Sequence, residues 1–376
     1  MRTKRFSRLQ MIAAVAVTAA AVLAAAALAV WIVIGPQGLT LLEGLALINT
    51  RFVGEYNAAE VTDAAMAGMV EGLNDRWSYY LDAEGYAAQN LRRTNKYVGV
   101  GITVSYEREE GLLIKEVTAG GPAEAADIQP GEIIVSVDGT SLAGEARYSG
   151  ADLIQGEEGT EVVLTLLGER GIERTVTVER KSLDSDPVSY EMLEGNVGYI
   201  KLSNFYDRSA QRLEEAVTDL QSQGAEALIF DMRDNGGGYL EQLTDMLDFL
   251  LPEGPIFISR DRAGHESVTE SDAACVDLPM AVLVNENTYS AAEFFAAELQ
   301  EREVAVIVGT PTSGKGYSQQ TFPLPGGGAM SISTAAYFTG NGTSLIGTGL
   351  TLDREVELDG EGDTQLEAAL ELLQDR

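Results

Sequence analysis

From about residue 197 onward, short apolar runs alternate with longer amphipathic stretches. Runs at 198–202, 227–232, 280–285 and 304–309 read as buried strands, and stretches at 208–223, 239–251 and 289–302 read as the helices between them. Strands that are apolar throughout are covered on both faces, so this alternation predicts an α/β layer structure. The preceding stretch has a different rhythm. Segments at 97–104, 112–117, 133–137, 161–167 and 174–179 are short and β-branched, with Gly121-Pro122, Pro130-Gly131 and Asp138-Gly139 as turn signals. They predict an all-β module. Before it, 37–95 reads as helical: Leu41, Leu42, Leu45, Leu47 and Ile48 give an apolar face, and the Ala/Met-rich stretch 58–73 extends it.

Arg2, Lys4, Arg5 and Arg8 precede an uncharged run at 11–34 whose one polar member is Thr18. As a helix rising about 1.5 Å per residue, such a run crosses a hydrocarbon layer of about 30 Å. No Lys or Arg follows until Arg51, so the positive-inside rule predicts a single-pass anchor in the cell membrane, with a cytoplasmic N-terminus and everything beyond extracytoplasmic. A cleaved signal peptide, giving a secreted protein, is the alternative, since Ala25-Ala26-Ala27 offers small residues for cutting. Cleavage there leaves Val30-Trp31-Ile32-Val33-Ile34 at the new terminus, which favours the anchor.

The 376 residues are too many for one ordinary domain. Asp and Glu number 58 against 26 Lys and Arg, a formal charge of −32. Such a surface repels phosphate backbones and argues against nucleic acid as a partner. The single cysteine, Cys275, allows no intrachain disulfide and no Cys-based zinc cluster, and suits an oxidising compartment. The single histidine, His265, is the one residue available to a Ser-His-Asp or Cys-His mechanism, and a multi-His metal site is excluded. His265 lies in a polar loop and reads as exposed; Cys275 reads as a small packed residue.

In the β module, Tyr97-Val98-Gly99-Val100-Gly101-Ile102 sets two glycines at a strand start, where successive N–H groups can turn toward one carboxylate. Gly121-Pro122-Ala123 then opens a short helix, and Ile128-Gln129-Pro130-Gly131-Glu132-Ile133 leads to Val137-Asp138-Gly139. This order of elements resembles a PDZ domain over 96–182. The resemblance implies that Val98, Gly99, Val100, Gly101 and Ile102 form a carboxylate-binding loop, and that a protein C-terminus adds to the sheet as an edge strand.

Three motifs in the second half carry chemistry. Asp231-Met232-Arg233-Asp234-Asn235-Gly236-Gly237-Gly238 ends an apolar strand, and its glycines free N–H groups for an anion or a developing oxyanion. Asn285 to Glu293 joins a strand to a helix starting near Ser290, where serine is a good N-cap and also a well-placed nucleophile. Gly309-Thr310-Pro311-Thr312-Ser313-Gly314-Lys315-Gly316 imitates a phosphate-binding loop, but Gly316 replaces the magnesium-binding hydroxyl and the residues that follow look extended. Lys315 suggests something else. The chain has six lysines and 20 arginines, and of the two only a buried lysine can lose its proton near neutral pH and take one from a serine. Gln319, four residues on, falls on the same face as Lys315 if the segment is extended, where its amide could orient the amine.

These residues together resemble the C-terminal processing peptidases, the Ser-Lys serine peptidases of family S41 with an inserted PDZ domain. Asn285-Glu286 to Ser290-Ala291-Ala292-Glu293 is similar to the family's N-E-G-S-A-S-A-S-E, Gly314 to Gln319 to its G-K-G-x-x-Q, and the 231–238 motif to its D-L-R-N-N-P-G-G. The resemblance implies Ser290 as nucleophile, Lys315 as general base, Gln319 as the residue that positions the lysine, and the N–H groups of Gly237 and Ala291 as oxyanion hole. It implies no metal and no organic cofactor. The expected architecture is multidomain α/β: cytoplasmic tip and transmembrane anchor at 1–35, a helical segment at 36–95, the PDZ domain at 96–182, and a peptidase core with crotonase/ClpP-like layering at 183–376. The implied partners are protein substrates bound by their C-terminal tails, with the membrane reached through the N-terminal helix and self-association left open. Asn287, Thr288 and Tyr289 depart from the family's G-S-A, Gly236 from its proline, and Leu153-Ile154-Gln155-Gly156 from the I-R-G whose arginine in some relatives couples PDZ movement to activation. Two rival readings are an inactive PDZ scaffold that binds C-termini and a crotonase-like acyl-CoA enzyme; the intact Ser290, Lys315 and Gln319 argue against the first, the anchor and PDZ region against the second.

Overall fold

The computed structural model describes residues 8–168, 170–358, 360 and 362–374, which divide into two compact units between Thr62 and Asp63. In the first unit the apolar run is helical from Arg8 to Arg51, interrupted at Gly35 (φ 65°, ψ −179°), with Pro36 next. Proline lacks the N–H that would continue the ladder, and its ring crowds the carbonyl four residues back. The break therefore falls just past the uncharged run. By length and composition, Met11–Leu28 is able to cross a membrane.

In the second unit, strands Ile102–Arg108, Gly111–Val117, Ile133–Val137, Glu161–Leu167 and Glu173–Glu179 pair antiparallel in that order. Side chains alternate across a strand, so Val162, Leu164 and Leu166 turn inward together and meet Leu112, Ile114, Ile134 and Val178. The single strand expected at 97–104 is two strands, because Gly101 (φ 80°) turns the chain between them. Lys96–Gly99 pairs with Lys181–Asp184, which sets Gly99 opposite Lys181 and brings the entry and exit of the module together. Beside this exit, the buried Arg180 donates to the carbonyls of Ile154 (2.7 Å), Leu153 (3.2 Å) and Glu161 (3.0 Å), tying down the helix Gly150–Ile154.

The rest forms layers. A six-stranded sheet runs Val188–Leu193, Val197–Leu202, Ala227–Asp231, Met280–Val284, Ala305–Gly309, Arg354–Glu355; its first pair is antiparallel and the others parallel. Alternate residues feed two cores. Leu228, Phe230, Met280, Val282 and Ile307 join the helices Ser209–Ser222, Leu240–Leu250 and Ala291–Glu301, whereas Ile229, Ala281, Leu283 and Val308 face Thr364–Gln374. This two-sided burial explains the continuous apolar runs. A second sheet, antiparallel throughout, joins Tyr79–Leu81, Ala329–Phe338, Gly254–Asp261 and Glu266–Ser271, with Tyr317–Pro323 also pairing with Ala329–Phe338.

Two local expectations give way. The stretch 37–95 is not helical throughout, since Tyr79–Leu81 is drawn into the second sheet opposite residues 329–331. Cys275 is exposed; it lies between strands Glu266–Ser271 and Met280–Val284, and its neighbour Val276 takes the packing position. His265 is exposed beside Asp261, 3.0 Å from its carboxylate.

Candidate active site

Strand Met280–Val284 is wholly buried and delivers the chain to a tight turn at 285–289. Ser290 follows with φ 60° and ψ −128°, and helix Ala291–Glu301 starts at the next residue. A serine at this φ is strained, typically by about 1–3 kcal/mol, and persists only where its surroundings fix it. Here they do. Thr288 Oγ1 donates to Met232 O at 2.8 Å, Asn287 Nδ2 to Asp234 Oδ1 at 2.9 Å, and Asn285 Nδ2 to the same oxygen at 3.0 Å. The Tyr289 ring lies 5.8 Å from that of Trp77. Asn287, Thr288 and Tyr289, whose N–H donates to Asn235 O at 3.3 Å, thus fasten the turn before Ser290 to the 231–238 loop.

That loop is itself held from below. Asp231 is buried and accepts Arg233 Nε at 2.9 Å and Nη2 at 2.7 Å, together with the Tyr199 hydroxyl at 2.5 Å. Arg233 also forks onto Asp363. The buried Asn235 donates to Leu202 O at 2.7 Å and accepts the Gly237 N–H at 2.8 Å. Gly237 (φ 83°) abuts Ser290: a Cβ there would sit 2.7 Å from Ala291 N and 3.0 Å from Ser290 Cβ. Glycine is required for both reasons. In this conformation the Gly237 N–H is committed to Asn235. Ala291 N–H, in the first helical turn, has no intrahelical acceptor.

Lys315 comes from the loop after strand Ala305–Gly309, and the next element is the strand Tyr317–Pro323, not the helix that a phosphate-binding loop needs. Lys315 is 9% exposed, with Nζ 4.9 Å from the Trp77 ring centroid and 5.8 Å from that of Tyr289. Burial lowers its pKa from 10.5 to about 8, against the pull of Asp75 and Glu293. Glu293, fully buried, accepts the N–H groups of Gly314 at 2.8 Å and Lys315 at 3.0 Å, and the Thr312 hydroxyl. Burial pushes the Glu293 carboxyl up. The Tyr337 hydroxyl, buried and so held neutral, donates to Lys315 O and neighbours Ser290. Burial pushes the Asp75 carboxyl up, but hydrogen bonds from Ser78 and the Trp77 N–H outweigh it and keep the carboxyl low.

Ser290, Ala291, Gly237, Lys315 and Gln319 all line one cleft of about 1180 Å³. Among the described residues no hydrogen bond joins Ser290 to Lys315, a separation common in resting active sites. Gln319 does not bond Lys315 either. Its Nε2 donates to Tyr317 O at 2.7 Å and Ser333 Oγ at 3.1 Å. Both residues line the cleft, as the even spacing suggests, but Lys315 lies outside the strand, which begins at Tyr317, and the Gln319 amide is taken by these two partners. Val98 to Ile102 stand apart in the β module. There the Val100 carbonyl accepts Ala123 N–H at 2.8 Å and the Gly101 carbonyl Thr118 N–H at 2.9 Å. Peptide planarity then turns the N–H groups of Gly101 and Ile102 the other way, and Ile102–Arg108 is an edge strand. Sequence reasoning missed Trp77, Asp75, Tyr337 and Glu293. Only Glu293 left a signal, the S-x-x-E spacing of a capping box, but its carboxylate goes to the lysine loop.

A model of peptidase family S41 matches residues 196–356, and a PDZ domain model matches residues 113–167. The carboxyl-terminal-processing protease of Synechocystis is 32% identical over 329 residues, covering 84% of this chain and 77% of that one. The carboxy-terminal-processing protease of Bartonella bacilliformis is 33% identical over 324 residues, covering 82% and 73%. Among solved structures, a photosystem II D1 C-terminal processing protease superimposes with a TM-score of 0.52 and 27% identity, covering 90% of this chain and 92% of that one. With a strained serine, a buried lysine and a PDZ-type β module on one chain, the chain belongs to the S41 serine peptidases, among the carboxyl-terminal-processing proteases.

Proposed function

We propose that the chain is a membrane-anchored, extracytoplasmic endopeptidase that cuts proteins near their C-termini, with Ser290 as nucleophile and Lys315 as general base. The observation that carries this reading is a buried lysine with a pKa of about 8 in the same cleft as a strained helix-start serine. In the neutral fraction of molecules the Lys315 amine takes the Ser290 proton as Oγ attacks the scissile carbonyl, then passes it to the departing amine. Water enters, the same lysine draws its proton, and the acyl-enzyme is hydrolysed. Ala291 N–H receives the developing oxyanion. Gly237 N–H is the second donor once it leaves Asn235, a backbone rotation that glycine permits. Gln319 acts from the same wall of the cleft, steadying the lysine after a change of hydrogen-bond partner.

The substrate tail adds to the free edge of Ile102–Arg108, its carboxylate held by the loop Val98, Gly99, Val100, Gly101, Ile102. The domain limits 36–95, 96–182 and 183–376 and a crotonase/ClpP-like layering belong to the same proposal, as does the anchor at 1–35 with its tip in the cytoplasm; a signal sequence fits the same helix. The test is incubation of the full chain with an unstructured protein. Wild type yields fragments cut near the C-terminus, and Ser290→Ala and Lys315→Arg yield none. Cleavage by Lys315→Arg at near the wild-type rate overturns the assignment of the base, and wild-type inactivity on several substrates favours the scaffold.

A further inference from the structure

Against the acidity of the whole chain, the lining of the catalytic cleft carries Arg76, Arg92, Arg93, Lys96 and Lys315 and, among the described residues, no carboxylate side chain. Arg76 is occupied: its Nη2 donates to Ser313 O at 2.7 Å and its guanidinium covers Trp77 at 4.1 Å. Lys315 is the proposed base. The other three have no such engagement. Arg92 and Arg93 close the helix Ala83–Arg93, and Lys96 opens the strand Lys96–Gly99. Among the described residues none of the three forms an ion pair. Two acidic residues neighbour them: Asp207, whose N–H donates to Arg93 O at 3.2 Å, and Asp184, which faces Lys96 across the strand pair but forms its ion pair with Arg208 at 3.5 Å.

A second observation points the same way. Two buried side-chain polar atoms lack a hydrogen-bond partner among the described residues, Arg93 Nε and Gln89 Oε1, and both residues line this cleft. Buried donors and acceptors left unmatched are rare and costly; a carboxylate would complete the Arg93 Nε donor, and the Gln89 Oε1 acceptor would take an N–H of the same substrate's backbone. The Arg93 guanidinium stands 5.8 Å from the Tyr239 ring, which packs at 5.6 Å on Tyr206. Tyr206, Tyr239, Tyr289 and Ser290 line the same cleft as the basic residues.

We propose that Arg92, Arg93 and Lys96 form a carboxylate-binding subsite of the cleft, which takes an acidic group of the polypeptide substrate beside the scissile bond. Guanidinium groups pair with carboxylates by paired hydrogen bonds, and a cleft lining without carboxylates of its own leaves them available. The inference rests on the peptidase reading above. Two sources supply the carboxylate: an Asp or Glu side chain, or the substrate's own terminal carboxylate.

The test uses the full chain in detergent and short unstructured peptides, with Glu or Gln scanned through the positions flanking the cut and with a free or amidated C-terminus. Wild type should prefer Glu over Gln at one position, or the free over the amidated end, by about five-fold or more in kcat/KM, and lose the preference as salt rises. In Arg92→Glu/Lys96→Glu the preference should invert toward a Lys-bearing peptide, which misfolding cannot produce. A Glu preference abolished in this variant assigns the side chain as source, and an amidation effect abolished in it assigns the terminal carboxylate. Amidation effects equal in both proteins, with no Glu preference in wild type, overturn the subsite, as does a Glu preference that the variant keeps. If wild type cuts no peptide, the peptidase reading fails separately. The subsite is then read by anisotropy of labelled Glu and Gln peptides on Ser290→Ala, where equal binding overturns it.

Discussion

The pH dependence of cleavage follows from where Lys315 sits. Burial takes its pKa from 10.5 to about 8, a drop worth about 3 kcal/mol at 1.36 kcal/mol per pH unit. At pH 7 about one molecule in ten then carries the neutral amine, against about one in three thousand for an ordinary lysine. On an unstructured peptide, kcat/KM should climb about ten-fold per pH unit on the acid side and level off above about 8. Asp75 is the largest of the influences that hold the proton on. Asp75→Asn should therefore move the inflection to lower pH and raise the relative rate at pH 6.5. The assay is kcat/KM from pH 5.5 to 10 for the full chain and this variant, with salt held fixed. An inflection below 7 that Asp75→Asn leaves in place would refute the reasoning, because some other group would then be titrating.

The same burial costs stability. Because the folded pKa of Lys315 lies below the unfolded one, the unfolded chain holds a proton the native state has released between about pH 8 and 10.5, and stability rises through that window. Lys315→Met should gain about 1–3 kcal/mol near pH 7, with the gain fading by pH 10.5 in denaturant titrations; a gain independent of pH contradicts this. Gly237→Ala places a methyl 2.7 Å from Ala291 N at a φ of 83°, and kcat should fall about 100-fold or more in steady-state kinetics. Glu293→Gln turns an amide toward donors that now meet a carboxylate; thermal unfolding should show a loss of about 2 kcal/mol, with a larger fall in kcat than in peptide affinity. Replacing 100–180 by a short linker across Gly99 and Lys181, which face each other, should impair recognition of protein tails more than cleavage of a generic peptide, measured by comparing the two substrates.

Much of the architecture was legible because burial repeats with a period. The strand Ala227–Asp231 is covered on both faces, so its apolar run has no other reading. The alternation in Glu161–Leu167 leaves one face to the core. Tyr79–Leu81 left no such trace: three residues are too few for a pattern, and their partner lies some 250 positions away. Gln319 shows a different limit. Sharing a face does not decide a hydrogen-bond partner, and the Gln319 amide is claimed by Ser333 of the neighbouring strand Ala329–Phe338, which local spacing does not reveal. Lys315 could be singled out because lysine is scarce here, but Trp77 and Asp75, which set its surroundings, come from a stretch that looked merely helical.

Glu293 explains how Ser290 and Lys315, the proposed nucleophile and base, keep their relation although 25 positions separate them. The helix that begins after Ser290 carries Glu293 one turn in, and the Glu293 carboxylate fixes the backbone of Gly314 and Lys315. One helix start thus touches both groups: Ser290, at φ 60°, stands just before its first turn, and its third residue anchors the loop bearing the amine. The departures Asn287, Thr288 and Tyr289 act on the opposite side of the same turn, binding it to the 231–238 loop. A substitution at any of these positions should therefore change serine and lysine together. Ser290→Gly relieves the strained φ and should raise stability by about 1 kcal/mol while ending cleavage. If that variant were less stable than wild type, the strain at the nucleophile would not be what the surrounding hydrogen bonds maintain.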